Sequence, residues 1–270
     1  MPELPEVETT KRGIAAHVTG RTIASVTVRE SRMRWPVPRD LAQQLENHSV
    51  LDISRRAKYL LFQLKHGFFM IHLGMSGSLR IVDRDTPLQK HDHIDIALDD
   101  KILRFNDPRR FGSVLWLGAN PFEHELLARL GPEPLSEHFD GDYLFQQSRK
   151  KKLAAKHFIM DNHVVVGVGN IYANEALFIS GVRPGRAAGR LSRAQCDRLA
   201  RAIVEVLDAS ITMGGTTLRD FVGGDGKPGY FQQTLRVYDR AGKPCRTCDT
   251  LIKHARHGQR STYYCPQCQQ

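Results

Sequence analysis

Long apolar runs are missing from these 270 residues: none approaches the roughly 20 needed to cross a bilayer, so no membrane-spanning role is expected. Cysteine is scarce too. There are five, and four of them crowd into the last 35 residues, which rules out a disulfide framework spread through the chain. Acidic residues run short, with 29 Asp and Glu against 39 Lys and Arg. No internal repeat is present, no Walker-type loop, and no complete Rossmann fingerprint. The first residues, Pro2 followed by Glu3, Glu6 and Glu8, do not read as a secretory signal, and a cytoplasmic protein is expected.

What is present is an ordinary globular composition, 41% hydrophobic and 25% charged, with length for two domains. The formal net charge of +10 favours a polyanion, because each phosphate neutralised releases condensed counterions. Composition alone does not separate DNA, RNA and an anionic membrane surface. Position says more: Arg149-Lys150-Lys151-Lys152 forms one cluster with Lys156, and the stretch from Arg236 onward carries seven Lys and Arg against two Asp.

Residues 1–130 read as mainly β, with strand-like runs at 22–28, 58–64, 68–73, 92–98 and 113–117. His93-Ile94-Asp95-Ile96 alternates as a half-buried strand does. Ahead of them Leu4, Val7, Ile14 and Val18 mark one stripe of a helix, interrupted by Lys11. Gly131-Pro132-Glu133-Pro134 breaks the chain and reads as the start of a linker. Beyond it the character is helical: 121–130 reads as a short helix before the break, and 170–180 and 192–213 as longer ones closed by Gly181 and Gly214. Segment 214–234, with six glycines and a proline, reads as a loop.

Three local patterns carry chemistry. Cys245-x2-Cys248 and Cys265-x2-Cys268, separated by 16 residues, suit one tetrahedral zinc ion. Two disulfides are the alternative, and nothing signals secretion. Four thiolates leave no open position, so the zinc is expected to be structural, while Cys196 reads as a packed residue. Between the pairs, Gly258-Gln259 would turn a hairpin that projects Arg260 among Lys253, His254, Arg256 and His257. Second, Val166-Gly-Val-Gly-Asn170 sets two glycines before a helix, where backbone N–H groups and the helix dipole favour a phosphate, with Asn170 as the cap. Third, methionine before proline is normally trimmed, which would leave Pro2 a secondary amine with a pKa near 8, lowered further by the following helix. Taken alone, Pro2 with its acids is equally an ordinary helix start.

Together, Met1-Pro-Glu-Leu-Pro-Glu-Val-Glu-Thr9, Arg56-Ala-Lys-Tyr59, His72-Leu-Gly-Met-Ser-Gly77, Lys90-His-Asp-His93, Asp107-Pro-Arg-Arg-Phe-Gly112, Val166-Gly-Val-Gly-Asn-Ile-Tyr172 and the four cysteines closely resemble bacterial formamidopyrimidine-DNA glycosylase over essentially the whole chain. The resemblance implies an α+β fold: an N-terminal helix on a β-sandwich (1–130), a linker (131–148), a helix–two-turn–helix domain (149–235) with a lesion loop at 214–234, and a zinc ribbon (236–270). It implies a bifunctional glycosylase and lyase acting on oxidised purines in damaged double-stranded DNA, monomeric and associated with the nucleoid when bound. Pro2 would be the Schiff-base nucleophile, Glu3 the proton donor and acceptor, and Glu6 a supporting group. Lys58 would serve the elimination and touch the phosphate beside the lesion. Arg260 would bind phosphate and assist the second elimination. His91, Arg109, Lys151, Lys156 and Asn170 would contact DNA, and Met75, Arg109 and Phe111 would fill the void left by a flipped base. The endonuclease VIII branch, which prefers oxidised pyrimidines, shares the amine, Glu3 and the ribbon. A non-catalytic zinc-ribbon binder of distorted DNA is the rival from another class.

Overall fold

Leu4, Val7, Ile14 and Val18 form the buried stripe of helix α1 (Leu4–Val18), each 1% exposed or less. Burying side chains of this size contributes about 1.5–3 kcal/mol apiece. Lys11 breaks the stripe harmlessly, because its ammonium turns aside to Glu8 at 3.0 Å. A capping box opens the helix: the Glu3 carboxylate accepts the Glu6 N–H, and Glu6 in return accepts the Glu3 N–H at 2.8 Å. This structure is a computed structural model and describes Pro2–Thr216 and Phe231–Gln270. It divides into two units. One holds the residues up to Ala128 with Met213–Thr216 and Phe231–Gln232, and the other holds Arg129–Thr212 with Gln233–Gln270.

The first unit carries two four-stranded antiparallel sheets, the β-sandwich of the expected fold. One contains β1 (Ser25–Val28), β5 (Ser78–Asp83), β6 (Asp92–Ala97) and β7 (Lys101–Asn106), in the order β1-β6-β7-β5. The other contains β2 (Asp52–Arg56), β3 (Tyr59–Leu64), β4 (Gly67–His72) and β8 (Ser113–Gly118), in the order β2-β3-β4-β8. Side chains from both sheets, from α1 and from the short helix α2 (Leu41–Leu45) share one core, in which the Phe62 and Phe69 rings stack at 4.4 Å. Strand β6 departs from its half-buried pattern. Asp95 is buried because Arg104 grips it with two hydrogen bonds, at 2.9 and 3.0 Å, and Arg29 adds a third at 2.7 Å. The polar face of the strand therefore meets arginines, not water.

The second unit holds α3 (Gly141–Ser148), α4 (Ala155–Ile159), α5 (Asn170–Ile179), the 20-residue α6 (Arg193–Thr212), and the hairpin β9 (Lys253–His257) with β10 (Arg260–Tyr264). Cys196 is fully buried on α6. Two expectations are corrected. The helix at 121–130 shrinks to a single 3-10 turn, Pro121–Glu123. The second half of the 131–148 linker is helix α3, capped by Asp140, whose carboxylate accepts the Tyr143 N–H at 2.7 Å. Among the described residues no helix is long and apolar enough to cross a membrane. Met1 and residues 217–230, and with them most of the lesion loop expected at 214–234, lie outside the described residues.

Candidate active site and nucleic-acid interface

Pro2 is buried at the start of α1, where the helix dipole favours negative charge and disfavours a protonated amine. Glu3 and Glu6 beside it are each 2% exposed. Glu6 is held from three directions. Its Oε2 accepts the Glu3 N–H at 2.8 Å, its Oε1 accepts the Thr216 N–H at 2.8 Å, and its carbonyl accepts the Thr10 hydroxyl at 2.9 Å. Gly215 packs on this carboxylate with φ +82°, where a β-carbon would stand 3.2 Å from Glu6 Oε1. Phe231 N–H reaches the Gly215 carbonyl at 3.2 Å. Gly215 and Thr216 thus pack on Glu6, and Phe231 is tied to Gly215.

Lys58 sits on the two-residue turn between β2 and β3, where Arg56 pairs with Tyr59 and Ala57 takes φ +54°. The turn is tied to α1 through Arg55, which donates to Glu8 at 3.0 Å and to the Ala57 carbonyl at 2.9 Å. Burial pushes the Glu8 pKa up, but hydrogen bonds and charge from Lys11, Arg12 and Arg55 outweigh it, leaving the carboxyl below its ordinary value. An ionised Glu8 is what anchors the Lys58 turn on the helix that begins at Pro2.

His72, at the end of β4, was assigned no role from the sequence. Burial, then the charges of Lys58 and Arg34, push its pKa down to about 4, and its Nδ1 accepts the Gly74 N–H at 3.2 Å. The ring is neutral at pH 7. An unfolded histidine titrates near 6.5, so this contribution to stability is full above pH 6.5 and is lost as pH falls from there towards 4. An NMR titration of the imidazole should show a midpoint near 4, raised by Lys58→Met; a midpoint at the ordinary histidine value would contradict the assigned proximity.

Met75 and Phe111 are the exposed apolar residues of their turns, at 38% and 45%. Arg109, also exposed, brings Nη1 to 3.9 Å from Met75 Sδ, so the expected trio is assembled at one place. His91 lies on a turn of the same unit with φ +74°, and Arg110 has φ +56°. Left-handed backbone at non-glycine residues costs roughly 1–2 kcal/mol each and tends to collect at functional turns.

In the second unit Lys151 is exposed just after α3, where its carbonyl accepts the Gly189 N–H at 2.9 Å. Lys156 departs from expectation. It is 0% exposed, and its ammonium donates to the Ser261 carbonyl at 2.6 Å and to Thr262 Oγ1 at 2.8 Å. Its charge holds β10, and the side chain leaves no exposed surface. Asn170 is the first residue of α5, not its cap: Gly169 takes that position, and Asn170 Oδ1 is shielded without a hydrogen-bond partner. The same helix carries two residues that spacing could not have flagged. Asn174 Oδ1 accepts the Tyr263 N–H at 2.8 Å, and Glu175 accepts backbone N–H groups of Arg236, Val237 and Tyr238 at 2.8–2.9 Å. Burial raises the Glu175 pKa, and those three N–H groups work against the rise. Their partners lie about 60 to 90 residues away in the chain, and no local pattern marks them.

The ribbon hairpin turns at Gly258, φ +59°, with Arg260 exposed at the first position of β10 opposite His257. The four sulfurs of Cys245, Cys248, Cys265 and Cys268 lie within 4.8 Å of one another. Three of the sulfur pairs lie 3.4 to 3.9 Å apart. Tetrahedral zinc with bonds of about 2.3 Å places sulfurs about 3.8 Å apart, whereas a disulfide needs about 2.05 Å. The donor set fits one structural zinc ion.

Comparison with known proteins agrees with this arrangement. Residues 1–114 match the formamidopyrimidine-DNA glycosylase N-terminal domain, 130–222 its H2TH domain, and 242–270 the zinc finger found in FPG and IleRS. The chain is 62% identical over 270 residues to the formamidopyrimidine-DNA glycosylase of Thioalkalivibrio sulfidiphilus, with both chains fully covered. Among solved structures it is similar to the Lactococcus lactis FPG mutant G226P in complex with a Fapy-dG containing DNA (TM-score 0.94, 32% identity, both chains fully covered). It is equally similar to the Lactococcus lactis Fpg bound to an abasic site containing DNA (TM-score 0.93, 32% identity, both fully covered).

Proposed function

The chain belongs to the formamidopyrimidine-DNA glycosylase family, and from that premise we propose that it is a base-excision glycosylase and abasic-site lyase whose nucleophile is the amine of Pro2. It acts on oxidised purines in duplex DNA and carries one zinc ion in its ribbon. The observation that carries the catalytic reading is the buried capping box at the start of α1, which sets Glu3 and Glu6 beside Pro2 with the Thr216 backbone locked onto Glu6.

The chemistry follows from a secondary amine. Once Met1 is removed, Pro2 attacks C1′ of the damaged nucleotide, the glycosidic C–N bond breaks, and Glu3 supplies the proton the departing base needs. The proline nitrogen then gives its proton to Glu3, which returns it to O4′ as the C1′–O4′ bond breaks, leaving a ring-opened cationic iminium with no further N–H proton to lose. This electron sink makes the C2′ hydrogen acidic. Loss of that proton expels the 3′ phosphate, and a second elimination expels the 5′ phosphate. Lys58 and Arg260 are positively charged groups for the departing phosphates. His91, Lys151 and Asn170 supply backbone contacts, and Met75, Arg109 and Phe111 occupy the space the extruded base leaves. The protein is read as a monomer that associates with the nucleoid through DNA.

Single-turnover excision separates this reading from the pyrimidine-preferring branch. With matched duplexes, 8-oxoguanine opposite cytosine should be removed much faster than thymine glycol opposite adenine. Faster loss of the pyrimidine lesion would move the protein to the endonuclease VIII branch while leaving Pro2 and Glu3 in their roles.

A further inference from the structure

The Asp107 carboxylate accepts three hydrogen bonds from one turn and its neighbour. It is 0% exposed. Its Oδ1 accepts the Ser76 hydroxyl at 2.7 Å and the Arg109 N–H at 3.2 Å, and its Oδ2 accepts the Gly112 N–H at 2.8 Å. Ser76 Oγ also accepts the Arg109 N–H, at 3.2 Å. The backbone of Asp107 continues the web: its N–H donates to the His91 carbonyl at 3.1 Å, and its carbonyl meets His93 Nε2 at 2.9 Å. The carboxylate therefore ties the turn that bears Met75 to the turn that bears Arg109 and Phe111, and the Asp107 backbone adds the turn that bears His91.

The two insertion turns touch through their glycines. A β-carbon on Gly74, φ +65°, would meet the Phe111 carbonyl carbon at 2.4 Å. One on Gly112 would meet the His72 carbonyl oxygen at 2.6 Å. Neither turn can shift without carrying the other. A buried carboxylate in such a place is costly unless its oxygens are hydrogen-bonded, and here Ser76 and two backbone N–H groups bond both of them.

We propose that Asp107 is a positioning residue that makes Met75 and Arg109 act as one insertion unit, so that filling the void and reading the opposite base succeed or fail together. This rests on the glycosylase reading above. Asp107 touches neither the reacting sugar nor the base. Its effect should appear in discrimination, and not in the amine chemistry itself.

The test uses the full-length zinc-loaded protein with Asp107→Asn and the milder Ser76→Ala. Borohydride trapping of the parent on a single-stranded abasic oligonucleotide is measured first, so that failure of the catalytic reading is told apart from failure of this one. In both variants that trapping should stay within about twofold, because a single strand has no orphaned partner base. Excision of 8-oxoguanine opposite cytosine over that opposite adenine should fall at least fivefold towards unity in Asp107→Asn, and by less in Ser76→Ala. A double-mutant cycle of Met75→Ala with Arg109→Ala gives the decisive reading. In the parent the pair should lose little more than the worse single change; in the Asp107→Asn background the two losses should multiply. Discrimination retained in both variants, trapping lost in step with excision, or multiplying losses already in the parent would each overturn the proposal.

Discussion

A single residue retained ahead of Pro2 should abolish base removal and strand cleavage together, by on the order of a thousandfold or more, as loss of a nucleophile does elsewhere. Lesion-duplex binding should change only a few-fold. The reason is chemical: an added residue turns the amine into an amide, which has no lone pair to attack C1′, while Glu3, Glu6 and the turns bearing Lys58, Met75 and Arg109 stay in place. The measurement is single-turnover excision and abasic-site cleavage by matched preparations with free and extended N-termini. Its companion, Glu3→Gln, should slow base removal far more than cleavage at a preformed abasic site, since only the first step needs a proton delivered to a departing base.

Loss of the zinc should be the largest change in stability. Structural zinc sites bind with an apparent 10–16 kcal/mol or so at neutral pH, comparable to the whole stability of an ordinary domain at about 5–15. Cys265→Ser, or a strong chelator, should release about one equivalent of metal and unfold the ribbon. Three hydrogen bonds then lose their partner on β10, the two from the Lys156 ammonium to Ser261 and Thr262 and the one from the Tyr263 N–H to Asn174 Oδ1, and Arg260 loses its fixed position. Hydrogen exchange across Lys253–Tyr264 with metal analysis checks this, and duplex affinity should fall in parallel. A metal-free ribbon that stays protected would contradict it.

Legibility in the sequence followed how local the determining contacts are. The α1 stripe, the cysteine knuckles, the Gly258 turn and the two long helices α5 and α6 were all readable because their causes lie within a few residues. Strands β2, β5 and β7 were not. Asp52–Arg56 has only Ile53 fully buried, and Lys101–Asn106 carries Arg104, whose charge hides a strand until Asp95 is seen across the sheet. Helix α3 was hidden by its first residue, Gly141, and by the prolines upstream at 132 and 134. For the site, motif resemblance named Pro2, Glu3, Lys58, Arg109 and Arg260 as candidates. It misread Lys156, because nothing in a run of lysines says which one will turn inward to hold a carbonyl 105 residues away. Asp107, Asn174 and Glu175 escaped for the same reason: each acts through partners distant in sequence.

Trapping tests the central claim most directly. The mature protein is incubated with a duplex carrying 8-oxoguanine, borohydride is added to reduce any iminium, and the covalent product is digested and mapped by mass spectrometry. The expected result is one protein–DNA adduct per active chain, with the sugar attached to the nitrogen of Pro2 and no adduct from a chain that retains a residue ahead of it. Base release without any trapped adduct, or an adduct mapped to Lys58 instead, would contradict the assignment of Pro2 as the nucleophile.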